Sequence, residues 1–248
     1  MSSFDYRQWQ RWFTEDRDGE AASPAKGGWA TSRVLLLVLG ALALFILLNI
    51  SKGLYSEWLW FSNMGYGSVY ATILATKVLV FFIAALVFCL LFVGNLLLAM
   101  RLVPKSGSNF LPWAIVRQLQ PILRWNVVLG TALLSLIFGL VARDSWLVIL
   151  QSFNGQPFGL TDPVFYKEIS YYVFSLPFLR LVRGWFIGAL IVTLLGSVGV
   201  YFLSYAVQRL KFDFARTVLA HIGGLGIVIL GLFAWGYWLG IWELVFSQ

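Results

Sequence analysis

Cysteine, histidine and acidic residues are the scarcest chemical resources of this 248-residue chain, which holds one Cys, one His and 11 Asp plus Glu. The lone cysteine, Cys89, lies in an apolar run, so an intrachain disulfide and a cysteine metal cluster are both excluded. The lone histidine, His221, stands far along the chain from every acidic cluster. No nucleophile, base and orienting group can therefore be assembled, and neither a glycine-rich phosphate loop nor metal-ligand spacing occurs. Catalysis by this chain is not expected, and no cofactor or metal is called for. The one residue worth keeping as a cofactor ligand is His221 itself, because Gly223, Gly224 and Gly226 follow it and would let a planar group such as haem or chlorophyll approach. The plainer use of His221 is a hydrogen bond to a neighbouring helix or to water.

Charge of either sign is also sparse. Only 12% of the residues are charged while 60% are hydrophobic, and the mean hydropathy is +0.81. A soluble domain of this size could not hide so much apolar surface. The composition predicts an all-α fold: a polytopic transmembrane helical bundle of about five spans with amphipathic interfacial helices. The net charge of +7 does not point to nucleic acid, because no aromatic and basic recognition module appears and the Lys and Arg residues gather at span ends. Membrane lipid is the partner this charge implies.

Residues 1–31 form a polar segment that is expected on the cytoplasmic side. Within it Tyr6, Trp9, Trp12 and Phe13 recur at helical spacing, and Asp16 to Gly28 reads as a linker. Nothing in it resembles a secretory signal. Residues 32–248 form the membrane domain, with spans expected at about 32–52, 69–100, 125–142, 185–206 and 218–242. Lys77 near the start of the second span is expected to snorkel. Between the first two spans, LYSEWLWFSNMGYGSVY is rich in aromatic residues, with Gly65 and Gly67 as turn points. Between the second and third, LPWAIVRQLQPIL reads as a basic surface helix. Lys and Arg number twelve on the side of the N-terminus and five on the other, with Lys77 left inside a span. That asymmetry predicts a cytoplasmic N-terminus and an outer C-terminus.

The stretch TDPVFYKEISYYVFSLPFLRLVRGW, from Thr161 to Trp185, is too polar to cross a bilayer and too apolar for an ordinary loop. Asp162 and Pro163 read as the start of a helix over about 162–176, and Pro177 as its end. Phe165, Ile169, Tyr172, Val173 and Leu176 recur on one side, as in a helix lying in an outer membrane interface.

Two passages carry a family resemblance: LYSEWLWFSNMGYGSVYATILATKVLVFF at Leu54 to Phe82, and FGLTDPVFYKEISYYVFSLPFLRLVRGW at Phe158 to Trp185. They resemble UPF family 0182, large bacterial and cyanobacterial membrane proteins with no assigned activity. The resemblance implies a bacterial inner (plasma) membrane or a cyanobacterial thylakoid membrane. It also implies that relatives continue beyond the fifth span into further membrane segments and a large outer domain. The chain is expected to match their N-terminal membrane part, as a short relative or a truncated one.

Polar groups are scarce within the spans, and large aromatic side chains concentrate in two outer segments. A non-catalytic scaffold, anchor or partner-binding subunit of a membrane complex is therefore expected, with a protein partner or a second copy of the chain as its contact. The contact residues expected are Trp58, Trp60, Phe61 and Tyr66 in the first segment. In the second they are Asp162, Pro163, Phe165, Tyr172, Phe174 and Pro177. A transporter or channel component for a small solute or ion is the alternative, and it requires polar groups in a pathway through the spans.

Overall fold

A computed structural model describes residues 28–103, 113–208 and 215–246. The surface helix expected around Tyr6 to Phe13, most of the following linker and the basic connection over 209–214 lie outside these. Among the described residues the fold is all-α, with no strand and a single isolated bridge between Thr161 and Glu168. Its elements are α1 (Gly28–Asn63), α2 (Gly67–Leu102), α3 (Trp113–Asp144), α4 (Trp146–Phe153), a π-helical turn (Tyr171–Ser175), α5 (Leu176–Gln208), α6 (Arg216–Ile241) and a terminal 3₁₀ turn (Trp242–Phe246). Among the described residues, five helical segments are long and apolar enough to cross a membrane: Leu36–Asn63, Gly67–Leu102, Arg124–Asp144, Tyr171–Ala206 and Arg216–Val245.

The chain forms two compact units, Met1–Tyr70 and Ala71–Gln248. In the first, α1 extends well beyond the expected span and takes in the aromatic stretch up to Asn63. Gly65, at φ +78°, then allows the left-handed turn that a side chain would oppose, and Tyr66 donates to the Phe61 carbonyl at 2.8 Å. The Tyr70 hydroxyl closes the corner by donating to the Leu54 carbonyl at 3.1 Å.

In the second unit α5 is the central helix. Ala189, Thr193, Ser197, Tyr201 and Tyr205 follow one another at intervals of four residues, and all five are buried. A row with this spacing is one of the ridges by which helices interlock, and it winds slowly around the helix, so successive members meet different neighbours. Ala189 packs with Phe88, Phe92 and Leu96 of α2, while Tyr201 and Tyr205 pack with Ala99, Val103 and Val218. Leu190 joins Leu225 and Ile229 of α6. Phe138 of α3 stacks on Phe88 at 4.2 Å, and its carbonyl accepts from the Trp185 indole at 3.1 Å. At Gly139 a Cβ would come within 2.9 Å of the Phe81 backbone oxygen, so a glycine is needed for α2 and α3 to approach as they do.

Two helix assignments need correction. The surface helix expected from Pro112 to Pro121 and the third span are one element, because α3 runs unbroken from Trp113 to Asp144 through Pro121. The helix expected over 162–176 does not form. Residues 161–168 make a tight turn, helical structure begins at Ile169, and Pro177 lies inside a helix that continues to Gln208.

Pro177 has no N–H to give the Val173 carbonyl, and its ring crowds that carbonyl. The turn immediately before it is π-helical, with the Leu176 N–H reaching back five residues to Tyr171. Widening the helix by one residue is the way this chain accommodates proline without stopping. Lys77, expected to snorkel, has its ammonium 5.4 Å from the centre of the Trp146 ring.

Candidate functional site

Two constellations in the second unit hold nearly all of its organised polar chemistry. The first is the loop from Asn154 to Ser170. Asp162 is buried, 5% exposed, and its carboxylate accepts three hydrogen bonds: from the Val164 N–H at 3.1 Å, the Phe165 N–H at 2.6 Å and the Tyr172 hydroxyl at 3.2 Å. Burial alone would raise its pKa, but the bonds from Phe165, Val164 and Tyr172 outweigh it and hold the carboxyl below its ordinary value. The capping chemistry expected of Asp162 is therefore present, and its carbonyl accepts one helix-like bond from the Tyr166 N–H, but no helix follows, because Tyr166 turns left-handed and the Asp162 N–H donates to the Lys167 carbonyl.

Glu168 builds the other side of the loop. Its two oxygens accept from the Phe158 N–H at 2.6 Å, the Ser170 N–H at 2.6 Å and the Ser170 hydroxyl. Tyr166 is forced to φ +55°, a left-handed conformation for a residue with a side chain, and its ring is 80% exposed. Lys167 lies over the rings of Tyr171 and Trp242, and Arg180 pairs with Glu243, so the terminal 3₁₀ turn is tied to α5.

The contact residues expected in this region fall into two groups. Asp162 and Tyr172 are buried and serve the loop's own architecture, so neither is presented to a partner. Phe165 packs edge-on against Trp242, and Phe174 stacks on Phe158 beside Gly155, so both are half-buried supports. Pro163 is exposed, and Pro177 is half-buried at the π-turn. The apolar side chains that do face outward are Phe158, Leu160, Val164 and Tyr166, none of which helical periodicity singled out. In the first unit Trp58, Trp60 and Tyr66 are exposed, while Phe61 is half-buried against Tyr70.

The second constellation joins α2, α5 and α6. His221 has its Nδ1 2.7 Å from the Tyr201 hydroxyl and its Nε2 3.1 Å from Asn95 Oδ1. Asn95 donates its own amide to the Leu91 carbonyl at 2.7 Å, so its oxygen faces His221 as an acceptor. With the ring neutral, Nε2 carries the proton toward Asn95, Nδ1 accepts and Tyr201 donates, which gives a chain with one direction. Both ring nitrogens are engaged, so axial ligation of haem or chlorophyll by His221 would break one of these bonds, and the residues do not fit that use.

The sequence singled out His221 as the lone histidine but did not point to its partners. The signals available were Asn95 within an apolar run and the fourfold row ending in Tyr201 and Tyr205. The second unit also holds Thr131, Ser135 and Ser197, whose buried hydroxyl oxygens have no hydrogen-bond partner among the described residues. Among the described residues no group of three His, Cys, Asp or Glu could hold a metal ion.

An all-α chain with five helices apolar and long enough to cross a membrane is the class these observations define. A profile of the uncharacterised protein family UPF0182 matches residues 34–248, and the chain belongs to that family. Among its relatives, a UPF0182 protein of Streptomyces coelicolor is 34% identical over 216 residues, 84% of this chain and 21% of the relative. One of Rhodococcus erythropolis is 31% identical over 229 residues, 88% of this chain and 23% of the relative. One of Cupriavidus necator is 30% identical over 243 residues, 91% of this chain and 26% of the relative. The chain thus spans about a quarter or less of the length of these curated relatives. No solved structure matches it.

Proposed function

We propose that the chain is a non-catalytic, multi-pass subunit or anchor of a bacterial plasma-membrane complex, with a cytoplasmic N-terminus and an outer C-terminus. The loop 154–170 is its contact surface toward a protein partner. The observation that carries this reading is how the loop divides its groups. Both carboxylates are consumed internally, which stiffens the turn, and the apolar side chains of Phe158, Leu160, Val164 and Tyr166 are left outward. A surface ordered before binding loses little entropy on contact, and exposed aromatic side chains offer large area at low rotamer cost. The aromatic group Trp58, Trp60 and Tyr66 of the first unit is a second surface of the same kind.

The test is gentle solubilisation with identification of co-purifying proteins, pigments and lipids, beside a variant carrying Leu160→Ser, Val164→Ser and Tyr166→Ser. A stoichiometric partner lost in the variant supports the subunit. Solute flux through liposomes containing the isolated protein overturns it in favour of a transporter or channel component. That second reading has its own support in the buried row Thr193, Ser197, Tyr201 and Tyr205, its junction with His221 and Asn95, and the Ser197 hydroxyl, which has no partner among the described residues.

A further inference from the structure

Arg183 is held in an unusual way. Its Nε donates to the Leu232 carbonyl of α6 at 3.0 Å, and its guanidinium lies so close to Gly236 that a Cβ there would overlap it. Leu232 and Gly236 are one helical turn apart, so the missing side chain opens a notch through which the arginine reaches a backbone oxygen already inside the helix. A guanidinium has five N–H donors, and the Nε bond uses one of them. Among the described residues no carboxylate pairs with Arg183; the neighbouring Arg180 is neutralised by Glu243. The cation is half-buried, its Nε–Nη2 edge lies against Gly236, and among the described residues neither Nη group makes a hydrogen bond.

The surroundings of the notch are apolar and open. On α6, Phe233 and Tyr237 fall about 60° and 100° around the helix from Gly236 by the rotation of about 100° per residue, and both are exposed, as is Leu244 in the terminal 3₁₀ turn. Trp185, Trp235 and Trp238 stand within a turn of Arg183 or Gly236 in sequence, the side-chain type that gathers at membrane boundaries. A ligand for this place needs an anionic oxygen group for the fork and a long apolar body for the ridge beside it.

We propose that the Arg183–Gly236 notch binds the phosphate of an anionic phospholipid whose acyl chains lie along Phe233 and Tyr237. Phosphate oxygens match the planar fork in pairs, and desolvation by the surrounding apolar side chains strengthens the attraction. A zwitterionic lipid fits less well, because its own cation competes for the same phosphate. This site rests on the membrane reading above, but not on the identity of any protein partner.

The test uses the full chain in vesicles of phosphatidylcholine with and without phosphatidylglycerol, and in detergent with inorganic phosphate. Flotation with pure phosphatidylcholine vesicles checks insertion separately, so failure there refutes the membrane reading and with it the site. For inserted protein, retention of phosphatidylglycerol through purification is compared in wild type, Arg183→Gln, Gly236→Ala and the control Arg180→Gln, with thermal unfolding recorded for each. Losing a charge-assisted pair is expected to weaken retention about tenfold in Arg183→Gln, with a similar loss in Gly236→Ala and little change in Arg180→Gln. Equal retention in wild type and Arg183→Gln, at equal thermal stability, overturns the site. If Arg183→Gln does not fold, the Gly236→Ala variant carries the decision. Saturable binding of inorganic phosphate at Arg183 with no preference for phosphatidylglycerol overturns the lipid assignment and identifies a soluble anion.

Discussion

Asp162 is a buried carboxylate whose charge is spent on its own turn. Its carboxylate accepts N–H groups at the second and third residues after it, as a helix cap does, but the chain turns back through Tyr166 in the left-handed region. Because its pKa is lowered in the folded chain, its contribution is present in full above the ordinary carboxylate range, near pH 4, and is lost as pH falls through the lower folded value. We expect the Val164 and Phe165 amides to lose protection from hydrogen exchange in that acidic window, and Asp162→Asn to show the same loss at neutral pH. Unchanged protection in Asp162→Asn would show that the turn stands without the charge.

His221 makes a second prediction at this scale. Replacing it by Leu leaves the Tyr201 hydroxyl and the Asn95 amide oxygen without their partner, at a cost of about 1–2 kcal/mol. The double variant Asn95→Leu with His221→Leu is expected to lose less than the two single losses combined, since it removes donor and acceptor together. Thermal unfolding of the four species in detergent measures this coupling, and strict additivity would dissolve the tie.

At the scale of elements, the π-turn at Tyr171–Ser175 connects Pro177 to the loop. The extra residue in that turn sets the rotation of everything before it relative to α5, including the direction in which Tyr172 meets Asp162. In Pro177→Ala the N–H returns and the ring clash disappears, so the cause of the widening is gone. We expect the turn to relax to α, residues 169–172 to rotate by about 100° against α5, and amide protection across 158–170 to fall while that of α5 rises. An unaltered exchange profile would mean that the loop, and not the proline, holds the π-turn in place. The same reasoning explains why the sequence misled here: a proline usually ends a helix, and only the widened turn before it lets this one continue.

For the whole molecule, the distribution of Lys and Arg is the source of the proposed orientation, twelve against five. Cysteines introduced at Ser106 and Ser108, with Cys89 replaced by Ala, are expected to resist an impermeant thiol reagent in intact cells and to react once the membrane is opened. Reaction from outside intact cells would reverse the orientation. Cysteine at Tyr166 should behave in the opposite way, which makes the two positions mutual controls.

The apolar runs, their lengths and the scarcity of polar residues sufficed to determine an all-α chain with five helices able to cross a membrane. They did so because burial in an apolar medium acts on each segment by its own composition. The motifs EWLWF, DPVF and YYVFSLPF sufficed for the family, since short irregular strings identify kinship more sharply than composition does. The tertiary structure alone decided which polar residues meet. Asn95 and His221 are 126 residues apart and bond only because α2, α5 and α6 interlock along the fourfold ridge of α5. Arg183 finds Leu232 only because residue 236 is a glycine on the facing helix. Periodicity within a helix shows which side is apolar, but the partner of a buried polar group is set by the packing between helices, and that information is spread over the whole chain.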